Sequence, residues 1–210
     1  MGKSPQKVFV VDIARCNGCY CCQIACKDEH VGNDWSPYAK PQPDTGQFWC
    51  RLNEYVRGTV PKVKLHYVAV PCQHCAEAPC LDACPTGAMK FGDESDFAAE
   101  IAQATVLGPA DKTKPRVYYL NIPGRFIAGL VYDPVEKEIV EGARCILVDA
   151  ETGEKRVVKT DGFGDFWFVG LGEKTFSLMI EAEGFAPISY SALDTRDDIN
   201  LGEVSLSPER

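Results

Sequence analysis

Long apolar runs are missing from this 210-residue chain. None approaches the roughly 18 residues that a membrane-spanning helix needs, so no such span is expected. The opening stretch MGKSPQKVFVVD has neither the apolar core of a secretory signal nor a twin arginine. A cytoplasmic location is therefore expected, with export alongside a signal-bearing partner as the other route. Basic charge is also short: 22 Lys and Arg against 30 Asp and Glu leave a formal charge of -8. No basic stripe offsets it locally, which argues against binding a nucleic-acid backbone. A Ser-His-Asp set, a cleft of paired carboxylates and a phosphate-cradling glycine loop are missing too, so the chain is not expected to be an enzyme on its own.

What the chain has is cysteine, 11 of them beside a 45% hydrophobic content suited to a buried core. Five crowd into CNGCYCCQIAC, beginning at Cys16, and four into CQHCAEAPCLDACP, beginning at Cys72, while Cys50 and Cys145 stand apart. A disulfide framework would spread its cysteines over a small secreted fold, whereas gaps of two to four residues are the pattern of metal thiolates. The first block reads Cys16-x2-Cys19-x2-Cys22-x3-Cys26, with Cys21 as an extra thiol that breaks the register if used instead. This is the bacterial ferredoxin run, with Lys27 in place of the usual proline. The second block reads Cys72-x2-Cys75-x4-Cys80-x3-Cys84 and is followed by Pro85.

Three thiolates reach three irons of one cubane from a loop wrapped around it, and in two-cluster ferredoxins the fourth cysteine ligates the other cluster. Two 4Fe-4S clusters are expected on that rule. Cys16, Cys19, Cys22 and Cys84 would hold one, and Cys72, Cys75, Cys80 and Cys26 the other. Gly18 would give the backbone a path that a Cβ would obstruct, and Pro79 and Pro85 would terminate helical turns around the second loop. Zinc prefers isolated tetrads of paired C-x2-C units, and a thioredoxin-type dithiol needs a βαβ unit beside it; neither pattern is present. His74 lies inside the second block, but eight cysteines already complete the ligand count. His30 and His66 read as surface or packing residues, and Cys21, Cys50 and Cys145 as ordinary thiols.

The fold class expected is α+β: a ferredoxin-like two-cluster domain over 1–95, with a long insertion at 27–71, then a linker at 96–122 and an all-β sandwich over 123–210. The insertion carries Trp35, Tyr38, Trp49, Tyr55 and Tyr67 with Arg51 and Arg57. Such a set fits core packing and a partner interface equally well. A short helix is expected from Ser95 to Thr105. Beyond it, apolar alternation bounded by Gly, Asp and Pro predicts seven strands, at 125–132, 143–149, 155–160, 165–169, 174–181, 186–193 and 199–206. TDGFGDF, from Thr160, offers too few oxygens for calcium and reads as a turn.

The two cysteine blocks resemble those of the iron-sulfur subunits of molybdopterin oxidoreductases in the dimethyl sulfoxide reductase family. The tail GLVYDPVEKEIVEGARCILVDAETGEKRVVKTDGFGDFWFVGL resembles a carboxypeptidase-regulatory or transthyretin-like β-domain. With KDEHVGNDW, RGTVP and KPRVYY, the combination is similar to a small-subunit group within that family, that of pyrogallol-phloroglucinol transhydroxylases and resorcinol hydroxylases. The resemblance implies a heterodimer with a large catalytic subunit that holds a bis-molybdopterin guanine dinucleotide cofactor and acts on hydroxylated aromatics in anaerobic metabolism. It also implies an electron-transfer role for this chain, between that partner and an external carrier. The wider family has further cysteine blocks after the second, whereas here the chain runs from Met89 directly towards the β-domain. Two other functions remain: a free-standing ferredoxin-like carrier, and a binding module in which the clusters are structural.

Overall fold

The computed structural model describes residues 7–30, 49–72, 78–107 and 115–209. The chain divides into two units: Met1–Tyr55 with Leu65–Ile122, and Val56–Lys64 with Pro123–Arg210.

The first unit contains β1 (Lys7–Asp12), α1 (Cys21–His30), most of a hairpin formed by β2 (Arg51–Thr59) and β3 (Lys62–Val70), α2 (Pro79–Asp82), β4 (Met89–Asp93), α3 (Ala98–Ile101) and β5 (Val117–Leu120). KVFVVD is apolar without alternation because β1 is the middle strand of the order β4-β1-β5, with four consecutive buried residues. It runs antiparallel to β4, where Phe9 faces Phe91 with ring centroids 4.7 Å apart, and parallel to β5. The strand ends at Asp12, whose carboxylate accepts from Ala14 N-H (3.1 Å) and from Asn121 Nδ2 (2.7 Å). That cap starts a 3-10 turn at Ile13–Arg15, which delivers Cys16 at the end of the sheet.

The helix expected from Ser95 to Thr105 is shorter: a 3-10 turn at Glu94–Phe97 and the single turn α3. Thr105 exchanges both backbone hydrogen bonds with Tyr119 (2.9 and 2.8 Å), and this bridge draws the chain out of helical geometry. The insertion contributes the β2–β3 hairpin, which is not among the expected strands although Lys62 to Tyr67 alternates polar and apolar; its 31–48 stretch, with Trp35 and Tyr38, lies outside the described residues.

The second unit is a β-sandwich. Its strands are β6 (Arg125–Asp133), β7 (Glu138–Ile139), β8 (Arg144–Asp149), β9 (Lys155–Lys159), β10 (Asp165–Leu171), β11 (Thr175–Glu181), β12 (Phe185–Ala186), β13 (Ile188–Asp194), β14 (Ile199–Ser205) and β15 (Ser207–Pro208). One sheet has the order β10-β6-β14 with β7 paired to β6; the other has the order β13-β11-β8-β9. The seven expected strands are all present, and three two-residue strands add to them. Alternation sends Phe166 and Phe168 inward from β10, Leu178 and Ile180 from β11, and Cys145 and Leu147 from β8, onto Ile127 and Val131 of β6. Each such fully buried aliphatic or Phe side chain contributes about 1.5–3 kcal/mol. In TDGFGDF, the Asp161 carboxylate accepts from Phe163 N-H (2.9 Å) and Asp165 N-H (3.0 Å), so it closes the turn.

The hairpin tip, Val56–Lys64, is part of this second unit. Arg57 forks onto Asp198, Nε to Oδ2 at 2.8 Å and Nη2 to Oδ1 at 2.7 Å, and donates from Nη1 to the Pro123 carbonyl at 2.8 Å. Asp198 Oδ1 also accepts from Phe126 N-H (3.0 Å). Lys62 pairs with Asp165, and Lys64 Nζ sits 4.4 Å from the Trp167 ring centroid, a cation-π contact. Asn200 Nδ2 donates to the Thr59 carbonyl (3.1 Å).

Candidate metal centre

The cysteine positions grow out of the ends of the first unit's elements. After the 3-10 turn, residues 16–20 form a loop in which Gly18 (φ 75°) and Tyr20 (φ 61°) have left-handed backbone. Gly18 is required twice over: by its φ, and because an added Cβ would come within 2.5 Å of the Tyr67 ring on β3. The sequence places the need for glycine at the cluster; here the neighbour that excludes a Cβ is Tyr67. The loop feeds α1, where Cys22 and Cys26 lie four residues apart on one helical face and are both buried. Cys21, one residue round the helix, is exposed and directs Sγ at the Cys19 carbonyl (3.7 Å).

The second block forms a single turn, α2, which begins at Pro79 and carries Cys80, with Cys84 just beyond it. Pro79 thus starts a turn instead of terminating one; proline suits the first helical position because its missing N-H would go unbonded there. The two blocks are tied by Arg15 Nη2, which donates to the Thr86 carbonyl at 2.7 Å.

Cys16, Cys19 and Cys22 from the first block and Cys84 from the second line one cavity, together with Tyr20, Leu52, Ala69, Thr86 and Met89. The cavity between them is small, about 20 Å³. Burial pushes the Cys16 thiol up, and the neighbouring Cys22, Cys84 and Cys19 sulfurs push it further. Mutual repulsion of this kind means that the four thiols ionise together only around positive charge. At Cys84, burial is outweighed by hydrogen bonds from the backbone at Met89, Ala88 and Thr86 and from the Thr86 hydroxyl, which hold the thiol below its usual value. Amides aimed at a sulfur in this way stabilise a thiolate ligand. The donor set is thus soft, convergent and amide-supported, as an iron-sulfur cluster requires. Among the described residues, no three His, Cys, Asp or Glu side chains form a group that would hold a single ion.

The other four expected ligands are less fully described. Cys80 and Cys26 are buried, Cys72 is half-buried, and Cys75 lies outside the described residues, as does His74. His66 stacks on Tyr55 with ring centroids 5.4 Å apart.

Cys50, expected to be an ordinary thiol, is buried in the first unit's core, in the same cluster as Cys22 and Cys80. Gln23 Oε1 accepts from Leu52 N-H (2.8 Å), which fastens the start of β2 to α1 and holds Cys50 there. No motif spacing signals this placement.

Residues 127–206 match the family of carboxypeptidase regulatory-like domains, one of the two resemblances read from the tail sequence. Over 96% of this chain and 99% of the relative, the chain is 27% identical to the pyrogallol hydroxytransferase small subunit of Pelobacter acidigallici. The alignment runs over 282 positions, more than this chain's 210 residues, so it opens gaps here. The arsenate respiratory reductase iron-sulfur subunit of Shewanella sp. (strain ANA-3) is 40% identical over 39% of this chain and 30% of that protein. A subunit of the anaerobic dimethyl sulfoxide reductase of Escherichia coli (strain K12) is 32% identical over 39% of this chain and 38% of its own length. This chain therefore spans about a third of the last two relatives and nearly all of the first. The resemblance read from the cysteine blocks and the tail is borne out by these likenesses.

Proposed function

We propose that this chain is a non-catalytic, electron-transferring iron-sulfur subunit whose first unit is a two-cluster ferredoxin-like domain. Cys16, Cys19, Cys22 and Cys84 hold one 4Fe-4S cluster, and Cys72, Cys75, Cys80 and Cys26 hold the other. The observation that carries this reading is the cavity into which cysteines of both blocks converge. Bound there, the clusters supply one-electron storage at potentials set by burial and by hydrogen bonds to sulfur. The chain's own residues provide those settings: the amides around Cys84 favour the more negative, reduced state, and Tyr67 covers the Gly18 loop.

The partner is a large catalytic subunit with a bis-molybdopterin guanine dinucleotide cofactor, acting on hydroxylated aromatics, and electrons pass between it and an external carrier. Support for the aromatic substrate comes from the near full-length likeness to a pyrogallol hydroxytransferase small subunit. No helix among the described residues is long and apolar enough to cross a membrane, and we place the pair in the cytoplasm.

Iron and acid-labile sulfide, measured per chain on anaerobically purified protein, test the reading, with molybdenum assayed on whatever copurifies. About eight of each per chain, with molybdenum in a larger companion, is the expected result. Zinc without sulfide overturns the cluster assignment, and a stable, molybdenum-free monomer with full clusters favours a free-standing carrier.

A further inference from the structure

Polarity is inverted across the β2–β3 hairpin. Side chains alternate between the two faces of a strand, and here the face turned to the sandwich is the charged one. Arg57 forks onto Asp198, Lys62 pairs with Asp165, and Lys64 lies over Trp167. Their sequence neighbours Val56, Val63 and Leu65 therefore share the opposite face, where all three are exposed, and Val60 projects from the turn, 85% exposed. No charged side chain falls on that face between Val56 and Leu65. A single exposed valine is ordinary, but four apolar side chains gathered on one face and its tip form a patch. Among the described residues, β2 and β3 pair only with each other, so both edges of the ribbon are open as well.

The size of the patch bears on what covers it. The four side chains present roughly 400 Å² of apolar surface, the size of a functional patch on a monomer. Two copies meeting through it would bury about 800 Å² in total, short of the roughly 1,200 Å² or more of a stable, specific interface. Each copy would also bring a formal charge of -8. A larger partner with a groove covers the face, the tip and both edges together.

We propose that this face and tip are the docking surface for the large catalytic subunit, with the hairpin entering an apolar, uncharged groove on that partner. The proposal rests on the partner reading above and adds the surface that serves it. Held to the sandwich by Arg57, Lys62 and Lys64, the hairpin is presented preformed, and association costs little ordering. The β-domain thereby gains a role: it carries a docking element that belongs, in sequence, to the insertion between the two cysteine blocks.

The test is copurification of the tagged full-length chain, expressed together with the large subunit. Wild type is compared with Val56→Asp plus Leu65→Asp, and with Val157→Asp plus Val169→Asp, a matched pair of exposed valines on β9 and β10. Molybdenum and iron are measured per chain, and unfolding is followed in denaturant. The hairpin pair is expected to lower copurifying molybdenum by about tenfold or more, with iron and the unfolding midpoint as in wild type, while the control pair keeps its molybdenum. If the midpoint falls in the hairpin pair, Val56→Thr plus Leu65→Thr carries the comparison, since threonine suits a strand and adds no charge. Molybdenum retained by the hairpin variants, or lost equally from the control, would overturn the proposal. A wild-type dimer of this chain that the hairpin variants convert to monomer would assign the face to a second copy and overturn it too. Wild type without any molybdenum-bearing companion would instead sink the reading of the chain as a molybdoenzyme subunit, so the two failures are separable.

Discussion

The two units bury cysteine for opposite ends. In the first, Cys22, Cys26, Cys50 and Cys80 sit in the core among Phe9, Val11, Leu52 and Met89, carried by α1, the entry to β2 and the single turn α2. In the second, Cys145 is the only thiol in a core of Ile127, Leu147, Phe166, Leu178 and Ile180, closed between two sheets. Burial alone pushes Cys145 up to about 12, with nothing opposing it. Cys22, similarly buried, is instead lowered, first by its hydrogen bond from Cys50. The difference lies in the neighbours: the same side chain is a small hydrophobe among hydrocarbons and an incipient thiolate among donors.

Replacing cysteine by serine in each unit sharpens this contrast most. Cys22→Ser is expected to lose about four irons per chain and the matching part of the visible absorbance. Cys21→Ser is expected to lose none, because Cys21 falls outside the Cys16-x2-Cys19-x2-Cys22-x3-Cys26 register and does not line the cavity. Equal losses in the two would break the ligand register.

In the second unit the largest effect is expected from the buried carboxylate that holds the hairpin tip. Asp198 is 4% exposed and holds both the Arg57 fork and Phe126 N-H. Asp198→Ala strands those donors and should cost about 2–4 kcal/mol in denaturant unfolding. Iron content should not change; a fall in iron would mean that the stabilities of the two units are coupled.

A smaller loss, about 1–3 kcal/mol, is expected for Cys145→Ser, where a hydroxyl enters an apolar core with only the Ala143 carbonyl nearby, 3.9 Å from the present sulfur. Iron should again be unaffected. Cluster loss here would erase the distinction between the two kinds of buried thiol.

The mildest effect is an acid one. Asp149 is held at about 2, first by Lys174 and then by the backbone at Thr152 and Glu151. A free aspartate titrates near 3.9. A depressed folded value means that the stabilisation is complete above about pH 4 and disappears as pH falls through about 2. Asp149→Asn should flatten the stability profile of the sandwich across that window in a pH series of thermal melts, and an unaltered profile would contradict the assignment.

Legibility in the sequence follows where the signal is local. β8, β10 and β11 announce themselves because one face of each is buried and Gly-Asp turns bound them. The cysteine spacing likewise picks out Cys16, Cys19, Cys22 and Cys84, which the fold brings to one cavity. The β2–β3 hairpin is harder to read: Lys62 to Tyr67 alternates, but Val63 and Leu65 are exposed while Lys62 is buried, so the apolar positions do not mark the packed face. α3 is overestimated because its composition suits a helix, while the Thr105–Tyr119 bridge that ends it joins residues distant in sequence. The burial of Cys50 in one core with Cys22 and Cys80 is illegible for the same reason, since no spacing rule links the three.

The hairpin tip has one more consequence when it is followed in time. Residues 56–64 leave the ribosome long before Asp165, Trp167 and Asp198 exist, so Arg57, Lys62 and Lys64 wait for partners that are made much later. A chain that stops short of Asp198 carries the tip without its anchor, and the fork of Arg57 closes only once that carboxylate has been made.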